Sequence, residues 1–86
     1  MGKEVAFGNR DRFIQLGITI AALRKIRGMS QEQLAEKANI SRSHLSSIEA
    51  PNVAYPFSLE VLYNIADALE VQPEDLLSQS YPPKKK

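Results

Sequence analysis

Apolar residues recur along this chain in steps of three and four, the period of amphipathic helices. Phe13, Leu16, Ile20, Leu23 and Ile26 form a first stripe. It predicts a helix that starts between Asn9 and Arg12 and runs to Arg27, where Gly28 stops it. Leu34, Ala35 and Ala38 mark one face of a second helix, and Leu45 with Ile48 the inward seam of a third over 41–50. Leu59, Leu62, Ala66 and Leu69, widened by Val61 and Ile65, predict a fourth over 59–69. A short fifth opens at Gln72-Pro73, since proline suits a first helical position, and ends with Leu76 and Leu77. The chain therefore reads as all-α.

The polar residues between these stretches are helix punctuation. Ser30 and Gln33 have the spacing of a capping box, and Ser41 and Ser58 are placed to cap the third and fourth helices. Asn39 tolerates the left-handed conformation of a helix-ending residue, and Ile40 after it turns back toward the core. Gly17 costs its helix about 1 kcal/mol against alanine, which points to a packing need for a small residue. Pro51 biases Ala50 away from helix. With so little chain between them, the second and third helices must cross steeply, leaving the outer face of the third exposed. That geometry suits insertion into a DNA major groove.

Eighty-six residues fit one domain, expected over 10–77 between an N-terminal arm, 1–9, and a flexible polar tail, 78–86. The arm, with Gly2 and Gly8 around Val5-Ala6-Phe7, is expected to be extended or frayed, reaching along DNA, packing on a partner subunit or doing neither. Mean hydropathy is −0.29. Neither a membrane span nor a secretory leader is visible, so a cytoplasmic protein is expected. Zero cysteines exclude disulfides and thiolate metal sites. His44 is the one histidine, and there is no glycine-rich phosphate loop, so no metal, cofactor or enzymatic constellation is expected.

The net charge of +1 conceals an asymmetry. Residues 1–50 carry eight Lys/Arg against five acids. Residues 51–83 carry no Lys or Arg and five acids (Glu60, Asp67, Glu70, Glu74, Asp75), until Lys84, Lys85 and Lys86 close the chain. Phosphate contact belongs to the N-terminal half, with the acidic half facing away. The three lysines add nonspecific attraction or are solvated tail.

The stretch 31–50, QEQLAEKANISRSHLSSIEA, resembles the helix-turn-helix of the phage-repressor family, the Cro/C1 or XRE type. Gln31, Leu34, Ala35, Ala38, Ile40, Leu45 and Ile48 hold the residue types the family favours, and Asn39 replaces its commoner glycine. The similarity extends over roughly 13–77. It implies a compact five-helix, lambda-repressor-like domain whose helices 2 and 3 form the motif. By family position, Arg42, Ser43 and Ser47 would touch base edges. Arg42 has the geometry for a bidentate bond to guanine, worth ~1–3 kcal/mol of discrimination.

Backbone contacts implied are Gln31, Ser41, Ser46, His44, Asn52 and Lys25. Gln31 would donate to a phosphate and brace Arg42; its bland alternative is a solvated first-turn residue. His44 is a phosphate contact or a boundary side chain. Lys25 and Arg27 are phosphate contacts or solvated complements to the helix dipole. The family commonly pairs an arginine at the place of Arg24 with an acid at that of Glu49, a structural pair. The helical wheel puts Glu49 about 70° from the Leu45/Ile48 direction, which agrees.

Pro51 stands where the family has glycine, and the loop 52–56 lacks the usual Lys or Arg, leaving Asn52 and Tyr55 as neutral phosphate donors. Val71, Leu76, Leu77 and Tyr81 are candidates for a two-fold dimer contact, though core closure explains the leucines equally well. The resemblance implies double-stranded DNA as partner. It implies a homodimer on an inverted repeat, with recognition helices ~34 Å apart, and a repressor at the bacterial nucleoid. The alternative is a protein-interaction module such as the antitoxin of a toxin–antitoxin pair, with a protein partner.

Overall fold

The computed structural model describes residues 5–78. Five α-helices follow a one-turn 3-10 helix at Phe7–Asn9: α1 Arg10–Ile26, α2 Gln31–Ala38, α3 Arg42–Glu49, α4 Leu59–Leu69 and α5 Pro73–Leu77. The segment expected to be an extended or frayed arm thus includes an ordered turn, closed by the Asn9 amide donating to the Ala6 carbonyl at 2.9 Å. Residues 1–4 and the lysine tail lie outside the described residues.

Three helices end in the same way. Gly28 after α1, Asn39 after α2 and Glu70 after α4 adopt φ of 74°, 59° and 62°. The next residue in each case (Met29, Ile40, Val71) donates its amide back to the last turn, to Arg24, Ala35 and Ala66 respectively. Its side chain packs on the core. A left-handed residue reverses the chain, and the apolar residue after it closes the helix end against the interior. Helix α3 differs: Ala50 is extended at φ −64°, ψ 122°, as the following proline requires.

The core comprises Ile20 of α1, Leu34, Ala35 and Ala38 of α2, and Leu45 and Ile48 of α3. Leu62, Ile65, Ala66 and Leu69 of α4 and Leu76 of α5 complete it. Helix α2 packs on α4, and α1 packs on α3. The α1–α3 crossing explains Gly17, where any Cβ would overlap the Ile48 backbone carbonyl.

Three residues expected in the apolar stripes stand outside the core: Phe13 is half-buried, edge-on to Phe57 with ring centroids 6.0 Å apart, and the other two are exposed. Ile26 is 75% exposed and Leu59 58% exposed. Each step of three retreats ~60° around a helix, so Ile26 lies ~150° from the direction of Gly17 and Ile20. Met29, folding back after Gly28, supplies the apolar contact at that end instead. Leu59 lies ~70° from the mean direction of Leu62, Ile65, Ala66 and Leu69. The dimer candidates separate as well: Leu76 has no exposed surface and closes the core, whereas Leu77 is 56% exposed. Val71 is half-buried, and Tyr81 lies outside the described residues.

Candidate nucleic-acid interface

Helix α3 begins at Ser41, whose hydroxyl oxygen accepts from the His44 amide at 3.0 Å. Leu45 and Ile48 fix its inner face, so rotation by helical steps turns Arg42, Ser43 and Ser46 into solvent, with His44 and Ser47 half-buried at the margin. Five of the residues expected to contact DNA therefore sit on one surface of one short helix.

The C-terminal end of α3 is held by charge. Arg24 of α1 donates through Nε to Glu49 Oε2 at 2.9 Å and through Nη2 to Glu49 Oε1 at 3.0 Å. Its Nη1 donates to the Met29 carbonyl at 2.7 Å. Gln31 of α2 adds a third bond to the carboxylate, Nε2 to Oε1 at 3.0 Å. Glu49 is 6% exposed. The bidentate fork and the added amide supply the hydrogen bonds that a buried carboxylate needs. Among the described residues, no buried side-chain nitrogen or oxygen lacks a partner. The resemblance implies that Gln31 braces Arg42, but its amide nitrogen bonds Glu49, because the α1–α3 packing brings that carboxylate to the start of α2. Arg42 instead lies across an open concavity lined with Arg24, Ser30, Gln31 and Glu32.

The cations at the end of α1 divide. Lys25 is exposed and lines a groove with Gln31, Ser46, Ala50 and Pro51, so the structure places it beside two of the other expected backbone contacts. Arg27 turns the opposite way, donating through Nε to the Leu69 carbonyl at 2.7 Å. It satisfies a terminal carbonyl of α4 and complements that helix dipole, in place of the phosphate role open to it in the sequence.

A second crevice opens on the other flank of α3, lined by Ser41, Ser43, His44, Ser47, Tyr55 and Ser58 among others. His44 stands edge-on to Tyr55, with ring centroids 5.6 Å apart and planes at 71°. This contact gives His44 a packing role at the boundary. The sequence marks Ser58 only as a cap. Its hydroxyl oxygen does accept from the Val61 amide at 3.1 Å, yet the same residue faces the crevice. The starts of α3 and α4 both open there, and helix starts attract anions. The signal available in the sequence is a capping serine directly after the loop that links α3 to α4. Asn52 is exposed in the Ala50–Val53 turn and lines neither crevice. Among the described residues, no group of three or more His, Asp or Glu side chains could hold a metal ion. None of their helices is long and apolar enough to cross a membrane.

Comparison with known proteins agrees with this arrangement. A helix-turn-helix family model matches residues 20–76. The chain is 49% identical over 57 residues to the immunity repressor protein of Bacillus phage phi105, covering 66% of this chain and 38% of the repressor. It is 36% identical over 66 residues to the HTH-type transcriptional regulator SinR of Bacillus subtilis, covering 77% of this chain and 59% of SinR. The chain thus spans between 38% and 59% of the length of these curated relatives. Among solved structures, the restriction-modification controller protein C.AhdI of Aeromonas hydrophila superposes with a TM-score of 0.71 at 29% identity, over 77% of this chain and 97% of that one. The all-α order of five helices is that of the lambda-repressor-like fold. The chain belongs to the helix-turn-helix family of the XRE, or Cro/C1, type.

Proposed function

We propose that this protein is a sequence-specific DNA-binding regulator of transcription that inserts α3 into the major groove. The observation that carries the reading is the contrast between the two sides of α3. Its inner face and C-terminal end are locked by Leu45, Ile48 and the Arg24–Glu49–Gln31 bonds. Its outer face offers Arg42, Ser43 and Ser46 to solvent. A rigid helix with an uncommitted polar face is what reading base edges requires. Arg42 would take guanine, and Ser43 and Ser47 would contribute weaker hydroxyl contacts. Gln31, Ser46 and Lys25 on one flank, and Ser41, His44, Tyr55 and Ser58 on the other, would hold the flanking phosphates.

The matched relatives are named as a repressor and a transcriptional regulator, which favours regulation over the antitoxin-like interaction module. The finer reading is a repressor that occupies promoter DNA as a homodimer on an inverted repeat, with Leu77 and Val71 at the two-fold contact, in the bacterial cytoplasm.

Selection of bound sequences from random duplex DNA tests this, with wild type and Arg42→Ala run in parallel at fixed salt. The expected result is an enriched inverted repeat that loses one G·C preference per half-site in the variant. Because Arg42 is exposed, the variant should melt within ~0.5 kcal/mol of wild type. If no motif emerges at moderate salt, the DNA-reading proposal fails.

A further inference from the structure

The chain between α3 and α4 is fastened by side chains rather than by its backbone. The Val53 amide donates to the Ala50 carbonyl at 3.3 Å, and the Ser58 carbonyl accepts from the Leu62 amide at 3.1 Å. Between them, among the described residues, no backbone–backbone hydrogen bond engages 54–57. Two aromatic edges hold this stretch instead. Tyr55 meets His44 of α3, and Phe57 meets Phe13 of α1, the latter with ring centroids 6.0 Å apart and planes at 74°. Tyr55 and Phe57 also pack on the core, whereas Phe13 is outside the set that packs there. The same stretch lines the crevice at the starts of α3 and α4, through Tyr55, Pro56 and Phe57. It brings no Lys or Arg to that crevice.

Resting on the DNA-binding function above, we infer that Phe13 is a positioning residue. Through its edge contact with Phe57 it fixes 54–57, so that the Tyr55 hydroxyl and the start of α4 meet one backbone phosphate in the crevice. The physical reason is the neutrality of the loop. A cation attracts phosphate at a distance and tolerates misplacement, but a hydroxyl or amide binds only at hydrogen-bond length and over a narrow range of angles. A neutral loop therefore adds affinity only where it is ordered before DNA arrives, because ordering it on binding consumes the gain. The first turns of α1 supply that order. Phe13 precedes residues 20–76, so the prop comes from a part of α1 outside the span matched by the family model.

The test uses the duplex enriched by selection, with each phosphate replaced in turn by a neutral methylphosphonate and Kd measured at fixed salt. In wild type, neutralising the crevice phosphate should weaken binding on the order of tenfold. That phosphate is the position at which Tyr55→Phe, which lacks only the phenolic hydroxyl, loses most of this sensitivity. Phe13→Ala should reduce the factor there to below about twofold. It should leave phosphates on the Lys25/Gln31 flank as sensitive as in wild type and keep the Arg42-dependent G·C preference. Phe13→Tyr retains the ring and should behave as wild type. Phe57→Leu keeps apolar bulk against the core but offers Phe13 no ring. It should match Phe13→Ala, and the double variant should be no weaker than either.

Thermal melting shows which variants are folded; should Phe13→Ala not fold, Phe57→Leu decides. A folded Phe13→Ala with full sensitivity at the crevice phosphate overturns the positioning role. So does a weakening spread evenly over all phosphates, the mark of a general loss of structure. A wild type that selects a motif yet has no phosphate of this kind overturns it as well. Each of these results leaves the DNA-reading function standing, whereas a wild type without sequence preference overturns both.

Discussion

The chain makes nearly the same helical joint twice, and only one of the two presents a reading surface. Between α2 and α3 the sequence is Asn39-Ile40-Ser41; between α4 and α5 it is Glu70-Val71-Gln72. In each, a left-handed residue reverses the chain, an apolar residue packs inward, and an extended residue begins the next helix. The caps run in opposite directions. Ser41 reaches forward to the His44 amide, while the Asp75 carboxylate reaches back to the Gln72 amide at 2.9 Å. The helices beyond the two joints differ more. Helix α3 has eight residues, with Arg42 and serines facing out and its far end locked by Glu49. Helix α5 has five, opens with Pro73, Glu74 and Asp75, and closes the core through Leu76. A steep crossing is thus not enough to make a DNA reader. The second helix must be long enough to carry a face, bear no excess of acid, and be braced from behind.

Removing the brace should break the comparison most severely. Glu49→Ala leaves the Arg24 guanidinium in a largely buried site without its carboxylate. We expect it to cost ~3–5 kcal/mol in urea denaturation. A loss under ~1 kcal/mol would show that α3 is held by its apolar seam alone, as α5 is. Gly17→Ala attacks the same contact from α1, forcing a methyl group into the Ile48 carbonyl. It should cost about 1–3 kcal/mol, against the slight gain alanine normally brings to a helix. Ser41→Ala removes the forward cap and should cost ~1 kcal/mol of stability by the same assay. The smallest effect sharpens the likeness between the joints. Glu70→Gly relieves a left-handed glutamate and should stabilise by about 0.5–1 kcal/mol, and Asn39→Gly by only a few tenths, because asparagine tolerates that conformation. Equal gains at the two sites would mean that the Asn39 turn is as strained as the Glu70 turn.

The motif is legible because its signals are local. Ser30 with Gln33, Ser41, Asn39 and the Leu34/Ala38 and Leu45/Ile48 spacings each act within one helical turn, and the structure has the box, the cap, the left-handed residue and the seams at those positions. Expectation and structure part where local period meets distant packing. The apolar stripe overreaches by one step at Ile26 and at Leu59, because whether a boundary residue is buried depends on what lies opposite. No pattern within its own helix assigns Arg27 to Leu69, 42 residues away. The candidate site is legible as a set of outward residues on α3. Its division into a Lys25/Gln31/Ser46 groove and a Ser41/His44/Tyr55/Ser58 crevice is not.

Sequence alone determined which segments are α-helices, where they start and stop to within a residue or so, and which face of α3 turns outward. Helical period, capping hydroxyls and left-handed turns need only neighbours within about four residues. Tertiary structure decided the partners of the long polar side chains. Gln31 could have faced Arg42, solvent or Glu49, and Arg27 could have joined Lys25 at the surface. Arginine and glutamine reach several ångströms with many rotamers, and which acceptor they meet is set by how helices distant in sequence cross.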